Sequence, residues 1–226
     1  MKTFSTIGRL NRITVLTIAC CSVFVAGCSK RTGTSNGAGA SSSHANNSSD
    51  AVFRIISADT SGSAEPDLEK YRRFTFGLVR DLRPGIDAVR VLRFDYEPHE
   101  ILRHLGHRKV ALLGTLIAQL RIPAERPRTR FAKLYERIAE LMELPEAQGK
   151  QIELVFLSDN GNDDASAEMM QLMETASEKI ASHPRLAKIT YWGIKPRLAE
   201  AIPSAFSKLP EGVLSVQFNT EAFARR

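Results

Sequence analysis

The chain has 226 residues, 43% of them hydrophobic, and a net charge of +6, which suits one folded domain plus accessory segments. Lys2, Arg9 and Arg12 supply half of that charge, and the rest of the chain sets 28 bases against 25 acids, too mild and scattered an excess for a nucleic-acid footprint. All three cysteines, Cys20, Cys21 and Cys28, fall in the first 28 residues, so the folded part holds no disulfide, zinc–thiolate site or thiol nucleophile.

The first 12 residues carry three bases, residues 13–25 are mostly apolar, and Ala26 and Gly27 are small. The apolar run is shorter than the ~20 residues of a spanning helix, and the order charged, apolar, small is that of a secretory signal. Its end, Val25-Ala26-Gly27-Cys28, resembles the lipobox of bacterial lipoproteins. That resemblance implies removal of residues 1–27, a lipid on the Cys28 sulfur and acylation of the new amine. It implies a lipid-anchored protein of the bacterial cell envelope, held by acyl chains that contribute ~0.8 kcal/mol per buried methylene. Ser29, rather than aspartate, follows the cysteine, which implies the outer membrane in a Gram-negative cell and the cell membrane otherwise. Residues 29–50 contain no aromatic and no large aliphatic side chain, so nothing offsets the entropy of ordering them. With Cys28 they read as a disordered tether (28–50), its ends about 25 Å apart on average. Asn46 and Asn47 match the glycosylation pattern but read as linker composition.

Residues 51–226 alternate short apolar runs with longer helical patterns, the signature of a mostly parallel sheet flanked by helices. A buried strand is predicted over 52–56. A helix follows over 68–82, with Tyr71, Phe74, Leu78 and Leu82 on one face, and Pro84-Gly85 ends it. Next come a strand over 89–94, a helix over 109–120, a loop at 123–127 and a helix over 130–142 carrying Phe131, Leu134, Ile138 and Leu141. The remainder reads as strand 152–157, helix 165–182, strand 189–194, helix 197–208 and strand 213–218.

Ligands of open parallel sheets bind outside the carboxyl ends of the strands. Two strands end there in a carboxylate and a polar, glycine-containing loop: Asp59-Thr60-Ser61-Gly62-Ser63 and Ser158-Asp159-Asn160-Gly161. Two carboxylates at one mouth repel each other, a cation between them relieves this, and hydroxyl oxygens suit the shell of a hard divalent ion. The spacing Asp59-x-Ser61-x-Ser63 after the first strand resembles the DxSxS motif that opens the metal-ion-dependent adhesion site of von Willebrand factor type A domains. Asp159 matches the later aspartate of that site. Thr129, between Pro127 and the helix starting near Arg130, matches its threonine; Thr115 is a rival, but it falls inside the apolar pattern of 110–120. The resemblance spans roughly residues 51–218. It implies a doubly wound, Rossmann-like α/β fold and a divalent cation, Mg2+ first with Mn2+ or Ca2+ as alternatives, held by Asp59, Ser61, Ser63, Thr129 and Asp159. It further implies an open position on the metal that takes a Glu or Asp carboxylate from a protein partner. The sequence departs from the family around Thr129, where many members have glycine and this chain has Arg128 and Arg130. Such bases either weaken a cation or attract an acidic ligand.

Simpler readings stand beside these. Asp59 also suits a turn or helix cap, Asp95, which also follows a strand, either joins the acidic cluster or, by preference, lies in a solvated turn, and Asp163 and Asp164 suit caps for the helix that follows. His99, His104 and His107 are spaced for surface or capping roles. Met169, Met170 and Met173 read as a core-facing stripe, Trp192 as packing, and Lys188, Lys195 and Arg197 as solvated ends. Three functions follow: a metal-bridged adhesion or assembly module, a metal-dependent hydrolase, and a structural lipoprotein with a vestigial site. The chain shows no DxDx(T/V) pattern, nucleophile elbow or P-loop lysine, so the expectation is a non-enzymatic binding module.

Overall fold

A computed structural model describes residues 51–103, 110–123, 128–163 and 166–218. The expected signal peptide, the acylated Cys28 and the tether lie outside the described residues, as do His104, His107, Pro127 and Asp164.

The strands are β1 (Val52–Asp59), β2 (Ala88–Phe94), β3 (Pro98–Arg103), β4 (Gln151–Leu157), β5 (Leu186–Ile194) and β6 (Leu214–Phe218). They form one sheet in the order β3-β2-β1-β4-β5-β6. Neighbours run parallel except β2 and β3, which are antiparallel. The chain therefore winds outward one way from β1, then returns beside β1 at β4 and winds outward the other way. This puts α1 (Leu68–Arg80) and α2 (Val110–Ile117) on one face and α3 (Phe131–Met142) and α4 (Ala167–Ala181) on the other.

Side-chain alternation explains why β1 is apolar nearly throughout. Phe53 and Ile55 enter the core beneath α3 and α4, while Ile56 and Ala58 enter the core beneath α1. A strand covered on both faces has no solvent side on which to place polar residues. In the first core, Tyr135 and Tyr191 are both buried and share one hydrogen bond, hydroxyl to hydroxyl, at 2.7 Å. In the second, Trp192 stacks on Phe74 with ring centroids 5.1 Å apart, which accounts for it as packing. A charged group is buried too. Arg90 on β2 is 3% exposed and pairs with Glu100 at 2.5 Å and with Glu146.

Several expectations need correction. The strand β3 has no apolar run in its sequence, Pro-His-Glu-Ile-Leu-Arg, and is formed by antiparallel pairing along the edge of β2. An edge strand tolerates polar residues and an initial proline. No continuous α-helix forms over 197–208; two short 3-10 helices, Pro196–Ala201 and Ser204–Lys208, replace it. Pro203 is the cause, since proline disfavours the helical conformation in the residue before it, and Ile202 is extended at ψ 130°. The methionine stripe is broken: Met173 is buried, Met169 packs on the core, and Met170 is exposed. Finally, β1 runs three residues further than expected and carries Asp59 as its last residue. Among the described residues, no helix is long and apolar enough to cross a membrane.

Candidate metal centre

β1 and β4 lie side by side with Ala58 opposite Leu157. Asp59 and the pair Ser158-Asp159 therefore leave the sheet together, at the point where the strand order reverses. That reversal opens a crevice at the carboxyl ends of the strands.

Asp59 is fully buried. Its Oδ1 accepts the Ser61 N–H at 2.8 Å and its Oδ2 accepts the Ser158 hydroxyl at 2.7 Å. Burial pushes its carboxyl up to about 6; these hydrogen bonds oppose the rise and the charge of Asp159 adds to it. The carboxylate thus lacks a counter-charge of its own. The hydroxyls of Ser61 and Ser63 lie 3.2 Å apart, the first buried and the second exposed.

Asp159 is buried as well. Its Oδ1 accepts the Gly161 N–H at 2.9 Å, and its Oδ2 accepts the Lys195 ammonium at 2.5 Å. Burial raises this carboxyl, but Lys195, the Gly161 N–H and the Ser63 hydroxyl together hold it below its ordinary value. The approach at 161 is close: a Cβ there would stand 3.2 Å from Asp159 Oδ1 and push on that carboxylate. Asn160 takes a left-handed backbone, φ 66°, which asparagine tolerates better than most residues. Its side-chain amide donates to the Leu198 carbonyl at 2.8 Å and fastens this loop to the turn after β5.

Thr129 is held against the same loop. Its N–H donates to Asp163 Oδ2 at 2.9 Å, and its carbonyl accepts the Asp163 N–H at 3.0 Å. Its hydroxyl is buried and has no hydrogen-bond partner among the described residues. Asp163 therefore staples two loops and does not cap α4, whose cap is Ser166. Asp95 is also not a solvated turn. It is buried, accepts from Thr60 Oγ1 at 3.4 Å, and its carbonyl accepts the Arg130 N–H at 2.9 Å. It thus joins the Asp59 loop to the Thr129 loop. Arg130 turns away onto the Tyr96 ring, 3.5 Å from its centroid. The rival Thr115 lies in α2, exposed, beside Arg93 and His99.

Ser61, Ser63, Asp159, Arg128, Lys195 and Arg197 line a cleft of about 450 Å³, with Asp59 and Thr129 buried rather than lining it. Sequence reading missed two contributors. Ser158 directly precedes Asp159, and Lys195 directly follows β5; the rule that selected Asp159, position just beyond a strand's carboxyl end, also points to Lys195.

No protein-family model matches the sequence, and no curated protein matches it. Solved structures do. A von Willebrand factor type A protein from Catenulispora acidiphila superposes with a TM-score of 0.57 at 15% identity, over 77% of this chain and 40% of that one. The fold is that of the von Willebrand factor type A domains. BatB from Bacteroides thetaiotaomicron gives a TM-score of 0.53 at 17% identity, over 76% of this chain and 93% of that one. Proximal thread matrix protein 1 from the mussel byssus, solved with a zinc-occupied MIDAS motif, gives 0.53 at 14% identity over 76% and 42%. This chain thus spans well under half of the first and third of these proteins.

Within this type A fold, the structure brings Asp59, Ser61, Ser63 and Asp159 to one mouth and fastens Thr129 to the loop beside them. Among the described residues, no group of three or more His, Cys, Asp or Glu side chains could hold a metal. The five residues carry two carboxylates and three hydroxyls.

Proposed function

We propose that this domain is a non-enzymatic binding module of the bacterial envelope, tethered through Cys28, that holds a divalent cation and through it an acidic side chain of a protein partner. Asp59, Ser61, Ser63, Thr129 and Asp159 would hold the cation. The observation that carries the reading is a pair of unmet needs at one sheet mouth. Among the described residues, Asp59 is a buried carboxylate without a counter-charge, and Thr129 has a buried hydroxyl without a partner. Both are costly in a protein interior, and an oxygen-seeking cation answers both. Oxygen-only donors suit Mg2+ above softer metals. When bound, such an ion supplies an electrophilic position for an outside carboxylate.

Arg128 and Arg197, which line the cleft, add positive charge where an acidic partner would approach, and so serve encounter and orientation. Binding is favoured over hydrolysis because Asp59 is buried with both oxygens engaged, a poor presentation for a nucleophile. An envelope location agrees with the sequence and with the description of one neighbour, from Bacteroides fragilis, as an aerotolerance-related membrane protein. That neighbour gives a TM-score of 0.55 at 16% identity, over 76% of this chain and 94% of that one.

Thermal melting in Mg2+ tests the reading. A native-state ligand at a hundred times its dissociation constant adds about 2.7 kcal/mol, so Mg2+ is expected to raise the melting temperature. Thr129→Val, which removes the orphaned hydroxyl at nearly constant shape, is expected to melt at or slightly above the parent in chelator and to gain less from Mg2+. A Glu-rich peptide is expected to bind the immobilised parent only when Mg2+ is present. Equal peptide binding in chelator, or an unchanged Mg2+ response in Thr129→Val, speaks against this function.

A further inference from the structure

We propose that Lys195 is a built-in counter-cation that holds Asp159 until a divalent ion displaces it, so that this lysine sets the metal concentration at which the centre loads. The inference rests on the metal-binding reading above and adds to it a residue that the type A resemblance does not supply.

The geometry places the lysine in direct competition with a metal. Asp159 has two oxygens. One is used by the Gly161 N–H; the other, Oδ2, is the one Lys195 Nζ reaches at 2.5 Å. A cation that draws on Asp159 meets this ammonium. The main chain fixes the root of the contact, because the Lys195 N–H donates to the Asp159 carbonyl at 3.2 Å. The two ends of the pair differ in exposure. The Asp159 side chain is 3% exposed and the Lys195 side chain 39% exposed. The carboxylate is therefore fixed, while the ammonium comes in from the solvent side on a flexible four-carbon stem and can retreat into water.

Charge makes the two occupants exclusive. A divalent ion and an ammonium within a few ångströms repel, and the repulsion is screened least where water is sparse. A lone ion pair on an open surface would contribute little, but the buried carboxylate makes this one stronger than such a pair. The metal-free centre thereby keeps one of its two carboxylates neutralised. Loading transfers Asp159 from the lysine to the metal and frees Lys195 in the cleft that Arg128 and Arg197 also line, where an acidic ligand would meet it. Metal uptake and readiness for the ligand are in this way coupled through one side chain.

Calorimetric titration of Mn2+ into the chelator-treated full-length chain tests the proposal. The variants Lys195→Met and Lys195→Gln keep much of the stem and remove the charge; Lys195→Arg keeps the charge. Both neutral variants are expected to bind Mn2+ about tenfold tighter than the parent, roughly the effect of removing one favourable ion pair of this kind. They are also expected to melt lower in chelator, with the deficit closing as Mn2+ is added. Lys195→Arg is expected to stay close to the parent. Unchanged or weaker Mn2+ binding in both neutral variants, with the parent still binding, overturns the role of Lys195 and leaves the metal site standing. Absence of Mn2+ binding in the parent and in every variant overturns the metal site and this inference together.

Discussion

In chelator at pH 7, Asp59→Asn is expected to unfold at higher temperature than the parent, and in saturating Mg2+ the order is expected to reverse. The first half follows from burial. Asp59 keeps its proton in the folded protein up to about pH 6, against 3.8 for an unperturbed aspartate. The unfolded chain therefore releases this proton first. Stability associated with the group is fully present below about pH 3.8 and is lost as pH rises through about 6. At about 1.4 kcal/mol per pKa unit, the metal-free fold is weakened by about 3 kcal/mol at neutral pH, an order-of-magnitude figure. Asparagine has nearly the same shape, can still accept from the Ser61 N–H, and can donate to Ser158 where aspartate accepts. It relieves the charge without opening a cavity. The advantage should be large at pH 7 and vanish near pH 4. The second half follows from coordination: without this carboxylate the centre loses one of its two buried carboxylates, the one not already paired with Lys195, and most of the Mg2+-induced gain with it. Urea melts at both pH values, with and without Mg2+, read both effects. An Asp59→Asn protein less stable than the parent at pH 7 in chelator would show that the charge is compensated within the protein itself.

The largest loss of stability away from the centre is expected at Arg90. Removing one partner of a buried ion pair costs about 3–5 kcal/mol, because the other charge is left desolvated. Arg90→Met is expected near the lower end of that range, since its partners are not wholly abandoned. Glu100 keeps Arg103 at 3.3 Å and Arg137 at 3.7 Å, and the Glu146 side chain is 29% exposed. Adding Glu100→Gln and Glu146→Gln to Arg90→Met should recover much of the loss, as neutral or apolar replacements of buried pairs often do. None of the three residues touches the centre, so Mg2+ affinity is expected to stay unchanged. A urea midpoint shifted by less than a fifth of that of the parent would mean that the network contributes little, and a changed Mg2+ affinity would show that it is coupled to the mouth of the sheet.

The sheet was legible in the sequence because its interior strands are covered on both faces. Ile152–Leu157 and Val52–Ile56 can be little else than buried strands when helical patterns separate them. The edge was not legible. β3 owes its existence to pairing with β2, and a strand with one open side can be written in Pro, His, Glu and Arg without contradiction. The short 3-10 helices at Pro196–Ala201 and Ser204–Lys208 misled for the opposite reason: their apolar spacing imitates one continuous α-helix, and only Pro203 betrays the break. At the sheet mouth, sequence rules placed residues by position along strands, and Asp59, Ser61, Ser63 and Asp159 do lie at the carboxyl ends of β1 and β4. That placement leaves their role untouched and does not reveal which loops are tied together. Asp163 looked like a helix cap and Asp95 like a solvated turn residue, yet each bridges loops distant in sequence. Lys195 looked like a solvated end for the same reason, since its partner is 36 residues away.

The most direct measurement is a crystal of the protein grown in MnCl2, with diffraction collected at the manganese absorption edge. An anomalous peak is expected at the sheet mouth within reach of Asp59, Ser61, Ser63 and Asp159, with the Thr129 hydroxyl turned toward it and the Lys195 ammonium withdrawn from Asp159. No peak there at saturating manganese, with Lys195 still seated on Asp159, would contradict it.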